Sequence, residues 1–387
     1  MAKKNKPAIR FKEFTDAWEQ RKLGEIAVFS KGVGYSKNDL CEEGTPIILY
    51  GRLYTKYETC IFDVDTFVKE KAGSVYSKGG EVIVPASGET AEDISIASVV
   101  VKPGILLGGD LNIVSPTAEY DSAFLALTIS SGATHKYLSS LAQGKSVVHL
   151  HNSDIQSVSA KFPTKREQEK IHLIFGKIDT LITLHQRKYD KLQVLKKAML
   201  EKMFPKNGSS VPEIRFKGFT DAWEQRKVSD LAEKTYGGGT PTTSNEAYWN
   251  GDIPWIQSSD VVDGKLLGVE PRKRITQNGL NNSAAQLIPE NSIAIITRVG
   301  VGKLAFMPYS YATSQDFLSL SKLNAEPLFT VYACYKKLQS ELNAVQGTSI
   351  KGITKDELLT RSIMVPQYAE QQQIGSFFQQ LDHLITL

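Results

Sequence analysis

One long segment occurs twice in the sequence. Residues 9–23 read IRFKEFTDAWEQRKL and residues 214–228 read IRFKGFTDAWEQRKV, so thirteen of the fifteen positions are identical. Chance does not produce a match of this length, and the chain is therefore a tandem duplication. An internal repeat constrains the fold more than any local pattern, because each copy is one structural unit.

A second pair of segments repeats in the same order. Residues 143–184 align without a gap to residues 346–387, and both segments end in Leu-Ile-Thr-Leu. The identical pairs include Gly144/Gly347, Ser146/Ser349, Pro163/Pro366, Glu167/Glu370, Gln168/Gln371, Ile171/Ile374, Phe175/Phe378 and Asp179/Asp382. The interiors, roughly 30–142 and 235–345, have little in common. A shared frame around unlike interiors indicates one scaffolding role performed twice and two different recognition roles.

The composition is that of a soluble globular protein. The chain has 387 residues, enough for two or three domains, with 41% apolar and 23% charged residues. The net charge of +4 excludes no class of partner. Cys41, Cys60 and Cys334 form no Cys-x-x-Cys pair, which favours buried thiols in a reducing compartment. The sequence shows neither a signal peptide nor a run of about 18 apolar residues, so we expect a cytoplasmic protein without membrane contact.

The two variable blocks are predicted to be mixed α+β domains. Strand-like runs are Pro46–Tyr50, Glu81–Pro85, Ile96–Val101, Leu111–Ser115, Pro254–Gln257, Ser292–Thr297, Lys303–Pro308 and Phe317–Ser321. Helical runs are Tyr120–Ser130, Thr134–Gln143 and Tyr332–Gln346. EVIVPAS (81–87) aligns weakly with SIAIITR (292–298), and GDLNIVS (109–115) with QDFLSLS (315–321). Both blocks are therefore expected to share one fold. The aromatic spacing within 9–23 predicts a short amphipathic turn or helix, with Trp18 and Trp223 as core anchors.

A long helix is predicted over residues 166–204, which contain no proline. At about 1.5 Å per residue it would extend roughly 58 Å. A four-three spacing selects Ile171, Phe175, Ile178, Ile182, His185, Tyr189, Leu192, Lys196, Met199 and Met203, most of them apolar. This is the pattern of a coiled-coil seam, which needs a partner helix. The second copy offers Ile374, Phe378, Leu381 and Ile385 for helix packing, and because it ends at Leu387 it is expected to cover only part of a partner.

Catalytic motifs are absent from the sequence. No complete phosphate loop, adenine-methyltransferase motif, Glu-x-Lys nuclease motif or metal-ligand spacing occurs. The glycine runs FSKGVGY (29–35) and TYGGGTP (235–241) suggest either tight turns or a cofactor loop. His149, His151 and Asp154 form either a satisfied loop, a phosphate contact or a metal site. Binding is thus the function that remains.

Charge indicates where a partner binds. Residues 161–204 contain eleven Lys and Arg residues but only five Asp and Glu residues. Such a run is either a solvated face or a surface for a phosphate backbone or an acidic partner subunit. The candidate DNA-binding residues of block one are Lys31, Tyr35, Lys37, Arg52, Tyr54, Lys56, Tyr57, Ser87, His149 and His151. Those of block two are Thr240, Thr242, Thr243, Ser258, Arg298, Lys303, Thr348 and Lys351.

The repeated RFKxFTDAWEQRK segments and the two PxxxEQxxI motifs that precede long helices (Pro163…Ile171 and Pro366…Ile374) resemble the specificity subunit of type I restriction-modification systems. The resemblance covers nearly the whole chain. It implies a non-catalytic subunit in which each variable block is a target-recognition domain that reads one half of a split double-stranded DNA target. It also implies that the helices set the spacing and dock two modification (methyltransferase) subunits, and that restriction (motor-nuclease) subunits join for cleavage. S-adenosylmethionine and ATP/Mg would be bound by those partners, and no cofactor or metal by this chain.

The predicted fold class is α+β, with two similar mixed α/β target-recognition domains joined by long antiparallel coiled-coil helices in a pseudo-twofold repeat. The expected boundaries are 1–162 for the first recognition domain, 163–211 for the long helix and linker, 212–365 for the second recognition domain and 366–387 for the C-terminal helix. Unlike interiors predict an asymmetric target, with half-sites about one helical turn, roughly 34 Å, apart. The alternatives are a protein-binding coiled-coil scaffold and a nuclease or methyltransferase with a divergent active site.

Overall fold

The structure is a computed structural model that describes residues 7–206, 208–344 and 352–386. The chain forms two compact units, Met1–His185 and Gln186–Leu387. The division falls inside one helix, Lys165–Lys202, so the first half of this helix belongs to the first unit and the second half to the second. Each variable block lies in its own unit. The finer boundaries at residues 162, 211 and 365 stay predictions.

The strands of the first unit are short. They are β1 (Glu19–Lys22), β2 (Ala27–Lys31), β3 (Leu40–Cys41), β4 (Thr45–Ile48), β5 (Cys60–Ile61), β6 (Phe67–Val68), β7 (Glu81–Pro85), β8 (Ser87–Gly88), β9 (Ser98–Val100), β10 (Leu106–Leu107), β11 (Leu111–Pro116), β12 (Val148–His149) and β13 (Ser159–Phe162). The main sheet has the order β2-β11-β7-β9-β5, a second sheet the order β10-β4-β6-β3, and the pairs β1-β13 and β12-β8 complete the unit.

Helices pack against both main core clusters of this unit. They are α1 (Leu23–Ile26), α2 (Arg52–Thr55), α3 (Ala91–Ile94), α4 (Ser122–Ile129), α5 (Gly132–Leu141), α6 (Asn152–Ser157) and the start of α7 (Lys165–Lys202), with a 3₁₀ turn at Lys37–Asp39. Asp121 caps α4, because its Oδ1 accepts a hydrogen bond of 2.8 Å from the backbone N–H of Phe124. The strands β7 and β11 are buried on both faces, between α4 and the residues that pack on the other side of the sheet.

The second unit has fewer strands, which are longer on average. They are β14 (Glu224–Lys227), β15 (Ala232–Gly237), β16 (Trp249–Ile256), β17 (Lys273–Ile275), β18 (Ser292–Ile296), β19 (Leu304–Met307), β20 (Ala312–Thr313), β21 (Phe317–Leu323) and β22 (Ser362–Val365). Its helices are the rest of α7, α8 (Gln277–Asn281), α9 (Pro327–Ala344), α10 (Lys355–Thr360) and α11 (Tyr368–Thr386), with 3₁₀ turns at Val228–Leu231, Glu246–Tyr248 and Ser258–Asp260. The sheets have the orders β15-β21-β18-β19, β17-β16-β20 and β14-β22.

The two units share a central antiparallel pair with the same register. Ile83 of β7 lies opposite Ile113 of β11, and the aligned Ala294 of β18 lies opposite Ser319 of β21. The backbone hydrogen bond that follows this pair is also repeated, from Ala86 to Asp110 in one unit and from Thr297 to Asp316 in the other. The prediction that unlike interiors share one fold is confirmed.

Most of the predicted elements are present, with ends that differ by a few residues. The segment 9–23 contains the predicted short turn, in which the backbone N–H of Phe14 donates a hydrogen bond to the Phe11 carbonyl. It has no helix before Leu23, and Glu19–Lys22 instead forms the strand β1, which pairs with β13. All four side chains of β1 are exposed, so no apolar periodicity marks the strand, and backbone pairing alone determines it. Trp223 is buried as predicted, whereas Trp18 is half-buried and lies 5.8 Å from the Phe124 ring, measured between ring centroids.

The predicted helix seam is buried at one end only. In the second unit Ile374, Phe378 and Leu381 are buried, Ile385 and Leu192 are half-buried, and Met199 packs against the core. In the first unit Ile171 is half-buried, whereas Phe175, Ile178 and Ile182 are exposed, and Tyr189 in the next stretch of α7 is exposed too. Within the described residues the seam is therefore buried only in the second half of α7 and in α11, and the packing of the first half against a partner helix stays a prediction.

Candidate nucleic-acid interface

A repeated ion pair fixes the frame that carries each variable block. The guanidinium of Arg10 donates two hydrogen bonds of 2.7 Å to Glu167, whose side chain is fully buried. In the second copy Arg215 donates two hydrogen bonds of 2.8 Å to the buried Glu370. This bidentate geometry joins the segment before each block to the helix after it, so the two ends of each block are held together.

A second hydrogen bond, made by the glutamine that follows each of these glutamates, is also present in both copies. The side chain of Gln168 accepts a hydrogen bond from the backbone N–H of Asp121, and Gln371 accepts one from Glu326. Each glutamine also donates to the carbonyl of the proline that precedes its helix. Asp121 and Glu326 therefore occupy equivalent positions, immediately before the equivalent helices α4 and α9.

Five candidate residues of the first unit gather at one end of its main sheet. This end, called the first sheet-end surface, is where β2 and β7 finish and β11 begins, and its candidates are Lys31, Tyr54, Ser87, His149 and His151. Ser87 pairs directly with His149 across β8 and β12. The ring of Tyr54 borders Gly88, and burial raises the pKa of its hydroxyl. The side chain of Asn152 donates to the carbonyl of Ser30, which holds the loop of His151 beside Lys31.

Exposure divides these candidates into side chains that can reach a ligand and side chains that support them. Lys31, His149 and His151 are exposed, whereas Ser87 is buried. Lys37 is exposed on the 3₁₀ turn that follows β2. Tyr35 is 8% exposed. Its hydroxyl accepts a hydrogen bond from the backbone N–H of Lys71 and lies 2.6 Å from Ser74 Oγ, so these contacts give the side chain a structural role.

The remaining candidates of block one lie around α2. The guanidinium of Arg52, 8% exposed, binds Glu58 and Asp65 at 2.7 Å each, and Lys56 binds the other oxygen of Asp65. These cations lower the pKa of Asp65 to about 2. Arg52 is thus already neutralised inside the protein, and of this group Tyr57 presents an exposed ring. The sequence pattern did not distinguish an internal ion pair from a free cation.

The second unit brings its own candidates to the equivalent end. This second sheet-end surface, where β15 and β18 finish and β21 begins, carries Thr240, Ser258, Arg298 and Lys303. Thr240 Oγ1 donates a hydrogen bond of 2.7 Å to Gln315 Oε1. Arg298 is exposed in the loop between β18 and β19, which the backbone bond from Lys303 N–H to the Gly300 carbonyl closes. Ser258 is half-buried at the end of β16.

The glycine run before Thr240 is a close-packed turn. A Cβ at Gly238 would lie 1.9 Å from the carbonyl oxygen of Ser314, and one at Gly239 would lie 2.2 Å from the backbone of Ala284. These contacts leave no room for a side chain at either glycine. The following Thr242 and Thr243 are exposed, and Thr242 accepts a bond from the Trp249 indole through its carbonyl. Thr348 and Lys351 lie outside the described residues.

The basic stretch of α7 has both bound and exposed cations. Lys196 binds Asp382 at 2.5 Å, Lys170 binds Glu13, and Lys165 donates to the Ala118 carbonyl. The exposed side chains include Arg187, Lys188 and Lys191, which form no ion pair within the described part of the chain. These three remain the basic surface that the charge count predicted.

The candidate His149, His151 and Asp154 group is a loop and not a metal cluster. Asp154 accepts a hydrogen bond of 2.8 Å from the backbone N–H of His151, where α6 begins. Across residues 7–206, 208–344 and 352–386, no group of three His, Cys, Asp or Glu side chains is arranged to hold a metal ion. Among those same residues, no helix is long and apolar enough to cross a bilayer.

Sequence reasoning missed two residues of the second sheet-end surface. Val299, 70% exposed beside Arg298, lies in the same loop, and Gln315 binds Thr240. The sequence did carry a signal for this loop, namely Gly300 and Gly302. Their φ angles are 90° and 93°, a backbone conformation that favours glycine. A polar residue that follows a short strand carries no comparable signal, so Gln315 could not be found.

Comparison with known proteins identifies the frame. The family model described as "Type I restriction modification DNA specificity domain" matches residues 15–194 and 220–387, that is, both copies. This chain belongs to that family. Two matches in one chain also agree with the duplication read from the repeated segments.

Relatives in the type I specificity family include three curated proteins. The MjaIX specificity subunit of Methanocaldococcus jannaschii is 29% identical over 170 residues, which are 42% of this chain and 38% of that protein. The EcoR124I/EcoR124II specificity subunit of Escherichia coli is 31% identical over 159 residues, 39% of each chain. A putative MjaX specificity subunit of M. jannaschii is 22% identical over 299 residues, 74% of this chain and 68% of that protein. The matched regions of the first two thus span less than half of those relatives.

Solved structures with the family fold match nearly the whole chain. An S subunit of a type I restriction-modification system from M. genitalium has a TM-score of 0.65 at 12% identity and covers 98% of this chain and 93% of that one. A chain from a study of complex assembly and conformational transition in the type I R-M system has a TM-score of 0.53 at 16% identity, with 95% and 91% covered. At these identities the likeness concerns the fold, which confirms two mixed α/β domains with long helices.

Proposed function

We propose that this chain is the DNA sequence-recognition subunit of a type I restriction-modification complex, and that each unit reads one half of a bipartite, asymmetric target. One observation carries the proposal. Each unit contains an equivalent ion pair and an equivalent sheet. The same end of that sheet presents different polar and basic side chains in the two units. One scaffold with two different surfaces is what a reader of two different half-sites requires.

The side chains at the two surfaces suit a DNA duplex. Lysine and arginine bind phosphate oxygens, and arginine also binds the acceptor edge of guanine in the major groove. The first sheet-end surface offers Lys31 with His149 and His151, and the second offers Arg298 with Thr240. Because the residues differ in type and place, the two half-sites should differ in sequence.

Catalysis belongs to partners in this proposal. The chain itself is non-catalytic, and the relatives named above are specificity subunits. The helices set the spacing between half-sites and dock two modification subunits, which bind S-adenosylmethionine and methylate adenine. Restriction subunits that use ATP and Mg²⁺ join for cleavage. The complex works on double-stranded DNA in the cytoplasm.

A methylome measurement tests the proposal. The chain is expressed with its modification subunit in a host that lacks methylation, and N6-methyladenine is mapped across the genome. We expect a gapped, asymmetric two-part motif that appears only when this chain is present. An assembled complex that methylates nothing new would contradict the proposal and favour a scaffold. Methylation or cleavage by the purified chain alone would favour an enzyme.

Exchange of one block tests the division of labour. Residues 30–142 are replaced with the variable block of another family member, and the methylome is mapped again. We expect one half of the motif to change while the other half, read by the second unit, stays the same. A change in both halves would contradict two independent readers.

A further inference from the structure

The two units differ at one strand of their smaller sheets, although the register of that strand is the same. Pro46 of β4 lies opposite Phe67 of β6, and Pro254 of β16 lies opposite Arg274 of β17. Both β4 and β16 also pair in parallel with a later strand, β10 or β20. The equivalent residues are therefore Asp65 and Arg272, Thr66 and Lys273, and Phe67 and Arg274. The second unit thus carries three successive cations where the first carries an acidic, a polar and an aromatic residue.

An ion pair with exchanged charges supports this equivalence. In the first unit Arg52, four residues after the end of β4, binds Asp65 at 2.7 Å. In the second unit Asp260, four residues after the end of β16, lies 3.6 Å from the Arg272 guanidinium. The buried partner is the arginine in the first unit and the aspartate in the second, with side chains 8% and 0% exposed. Arg272 therefore has an internal partner, whereas the charge of Lys273 is not used by this pair.

Lys273 lies on two tryptophan rings. Its Nζ is 5.6 Å from the centroid of the Trp249 ring and 5.9 Å from that of the Trp255 ring. The two rings meet edge to face, with centroids 5.2 Å apart. Attraction between an ammonium and the face of an indole holds the lysine side chain in this place. Lys273 is exposed and forms no ion pair within residues 7–206, 208–344 and 352–386, so its charge is available to a partner.

The same two indoles hold a loop of the second sheet-end surface. The Trp249 Nε1–H donates a hydrogen bond of 3.2 Å to the Thr242 carbonyl, and the Trp255 Nε1–H donates one of 3.0 Å to the Gly239 carbonyl. Thr240 lies between these two attachments. Lys273 is therefore continuous with the second sheet-end surface, because the rings beneath its ammonium also fix that loop.

The first unit uses the equivalent positions for internal contacts. The Thr66 hydroxyl donates a hydrogen bond of 2.6 Å to the Ile47 carbonyl, and Ile47, at the position of Trp255, is fully buried. Phe67 is half-buried. The lysine on its two rings is thus a feature of the second unit, which indicates a contact made at one half of the target.

We propose that Lys273, held on Trp249 and Trp255, binds a phosphate of the DNA backbone beside the half-site that the second unit reads. The inference rests on the proposed function, because it needs a duplex at the second sheet-end surface. An ammonium is a compact charge with three donors, which suits a phosphate oxygen and does not distinguish bases. The two rings restrict the lysine before DNA arrives, so less side-chain entropy is lost on binding.

The test uses the complex of the intact chain with its modification subunits and a duplex that contains its methylated motif. We expect Lys273→Gln to weaken binding about three- to tenfold near 0.1 M salt, and to reduce the slope of log K against log salt by about 0.9, the value of one phosphate contact. Lys273→Arg should keep most of the affinity, since a guanidinium also lies on indoles and binds phosphate. Anisotropy titrations give both quantities.

Arg274→Gln is the matched control. It removes one positive charge from the next residue of β17, whose side chain points to the opposite face because side chains alternate along a strand. We expect a smaller loss of affinity and of slope than for Lys273→Gln. Equal losses in the two variants would overturn the proposal, because they would show an effect of net charge and not a defined contact. Circular dichroism melts check that both variants fold.

Neutral methylphosphonates at single positions of the duplex locate the contact. At the contacted phosphate, the replacement should weaken the wild-type complex but should cause no further loss in the Lys273→Gln complex. This position should lie in or beside the half of the motif that exchange of residues 30–142 leaves unchanged. Additive losses at every position, or a non-additive position in the other half, would overturn the proposal.

Tryptophan variants test whether the rings position the lysine. Trp249→Phe keeps an aromatic face, whereas Trp249→Leu removes it. We expect the loss caused by Lys273→Gln to shrink in the Trp249→Leu background and to persist in the Trp249→Phe background. Equal losses in both backgrounds would contradict positioning by the rings. A wild-type complex that methylates no motif would contradict the proposed function, whereas normal methylation with an unchanged affinity and slope in Lys273→Gln would contradict the lysine contact alone.

Discussion

Arg10 and Glu167 lie at opposite ends of the first variable block, and their side chains form a bidentate ion pair with two hydrogen bonds of 2.7 Å. Glu167 is fully buried and Arg10 is 12% exposed on its side chain. This ion pair, called the clasp below, therefore holds the two ends of the block together. The Trp18 indole donates a further hydrogen bond of 3.4 Å to the same carboxylate. A buried carboxylate that loses its only strong partner is costly.

Removal of this clasp should destabilise the first unit. We expect Arg10→Ala to lower the melting temperature by about 5 °C or more, because Glu167 is left buried without a counter-ion. Arg21→Ala is the control, since Arg21 and Glu19 form an exposed pair whose loss should shift the melting temperature by about 1 °C or less. Differential scanning calorimetry measures both. Equal shifts in melting temperature would show that the buried ion pair stabilises the unit no more than the exposed one.

Two glycines on the long helices should respond to alanine with opposite signs. A Cβ at Gly375 would lie 2.6 Å from Glu326 Oε2 and 2.9 Å from the backbone nitrogen of Phe329, so Gly375→Ala should lower the free energy of unfolding by about 1–3 kcal/mol. Gly176 has nothing within 4 Å, and Gly176→Ala should raise it by up to about 1 kcal/mol because alanine favours helix. Urea denaturation distinguishes the two. A stabilising Gly375→Ala would contradict the packing described.

The second sheet-end surface should contribute to DNA affinity. Arg298→Ala is expected to weaken binding by the assembled complex and, if the contact is to phosphate, to reduce the salt dependence by about one unit of slope. Lys322→Ala is the control, because Lys322 is exposed at the other end of β21. Anisotropy titrations at several salt concentrations give both quantities. A larger effect of Lys322→Ala would place the interface at the opposite end of the sheet.

The exposed basic residues of α7 should act without reading sequence. Replacement of Arg187, Lys188 and Lys191 with glutamine is expected to weaken complex assembly or DNA affinity several-fold, because three positive charges leave the surface. The methylated motif should stay unchanged. Native mass spectrometry follows assembly, and methylome mapping follows the motif. An altered motif in this variant would show that the helix takes part in base recognition.

The three cysteines should react in a fixed order. Burial raises the pKa of the Cys334 thiol to about 12 and that of Cys60 to about 11. Because the thiolate is the reactive form, both should be alkylated more than about tenfold more slowly than Cys41 at pH 8. Peptide mass spectrometry after brief iodoacetamide treatment shows the order, and all three should react in denaturant. The expectation of three buried thiols was wrong for Cys41 and Cys60, which are half-buried.

The duplication made much of the fold predictable. Repeated segments located the frame, and the buried strands β7 and β18 began at the predicted residues, because continuous apolar runs between glycine and proline are strong signals. The strand Glu19–Lys22 was missed, since its residues are all charged or polar and its partner strand, Ser159–Phe162, is far away in the sequence. Long-range pairing of that kind leaves no local pattern.

The candidate site was only partly predictable. Residue type selected Lys31 and Arg298, which are exposed at the end of β2 and in the loop after β18, yet the same reasoning selected Arg52, which is neutralised by Glu58 and Asp65. A free cation and a paired one have the same sequence letter, and the difference lies in what the fold places within 3 Å. For the same reason, the exposed Phe175 could not be distinguished from the buried Phe378 at the equivalent position of the repeat.

The shared register of β7–β11 and β18–β21 has an evolutionary consequence. Backbone hydrogen bonds hold that register, whereas the side chains beyond the strand ends are mostly exposed and contribute little to stability. Surface substitutions usually change stability by less than about 0.5 kcal/mol, so residues such as Lys31 and Arg298 can be replaced without approaching the threshold of unfolding. New preferences can therefore arise in one unit by drift, while the other unit and the clasp stay intact. After gene duplication the two surfaces can therefore diverge with little loss of stability.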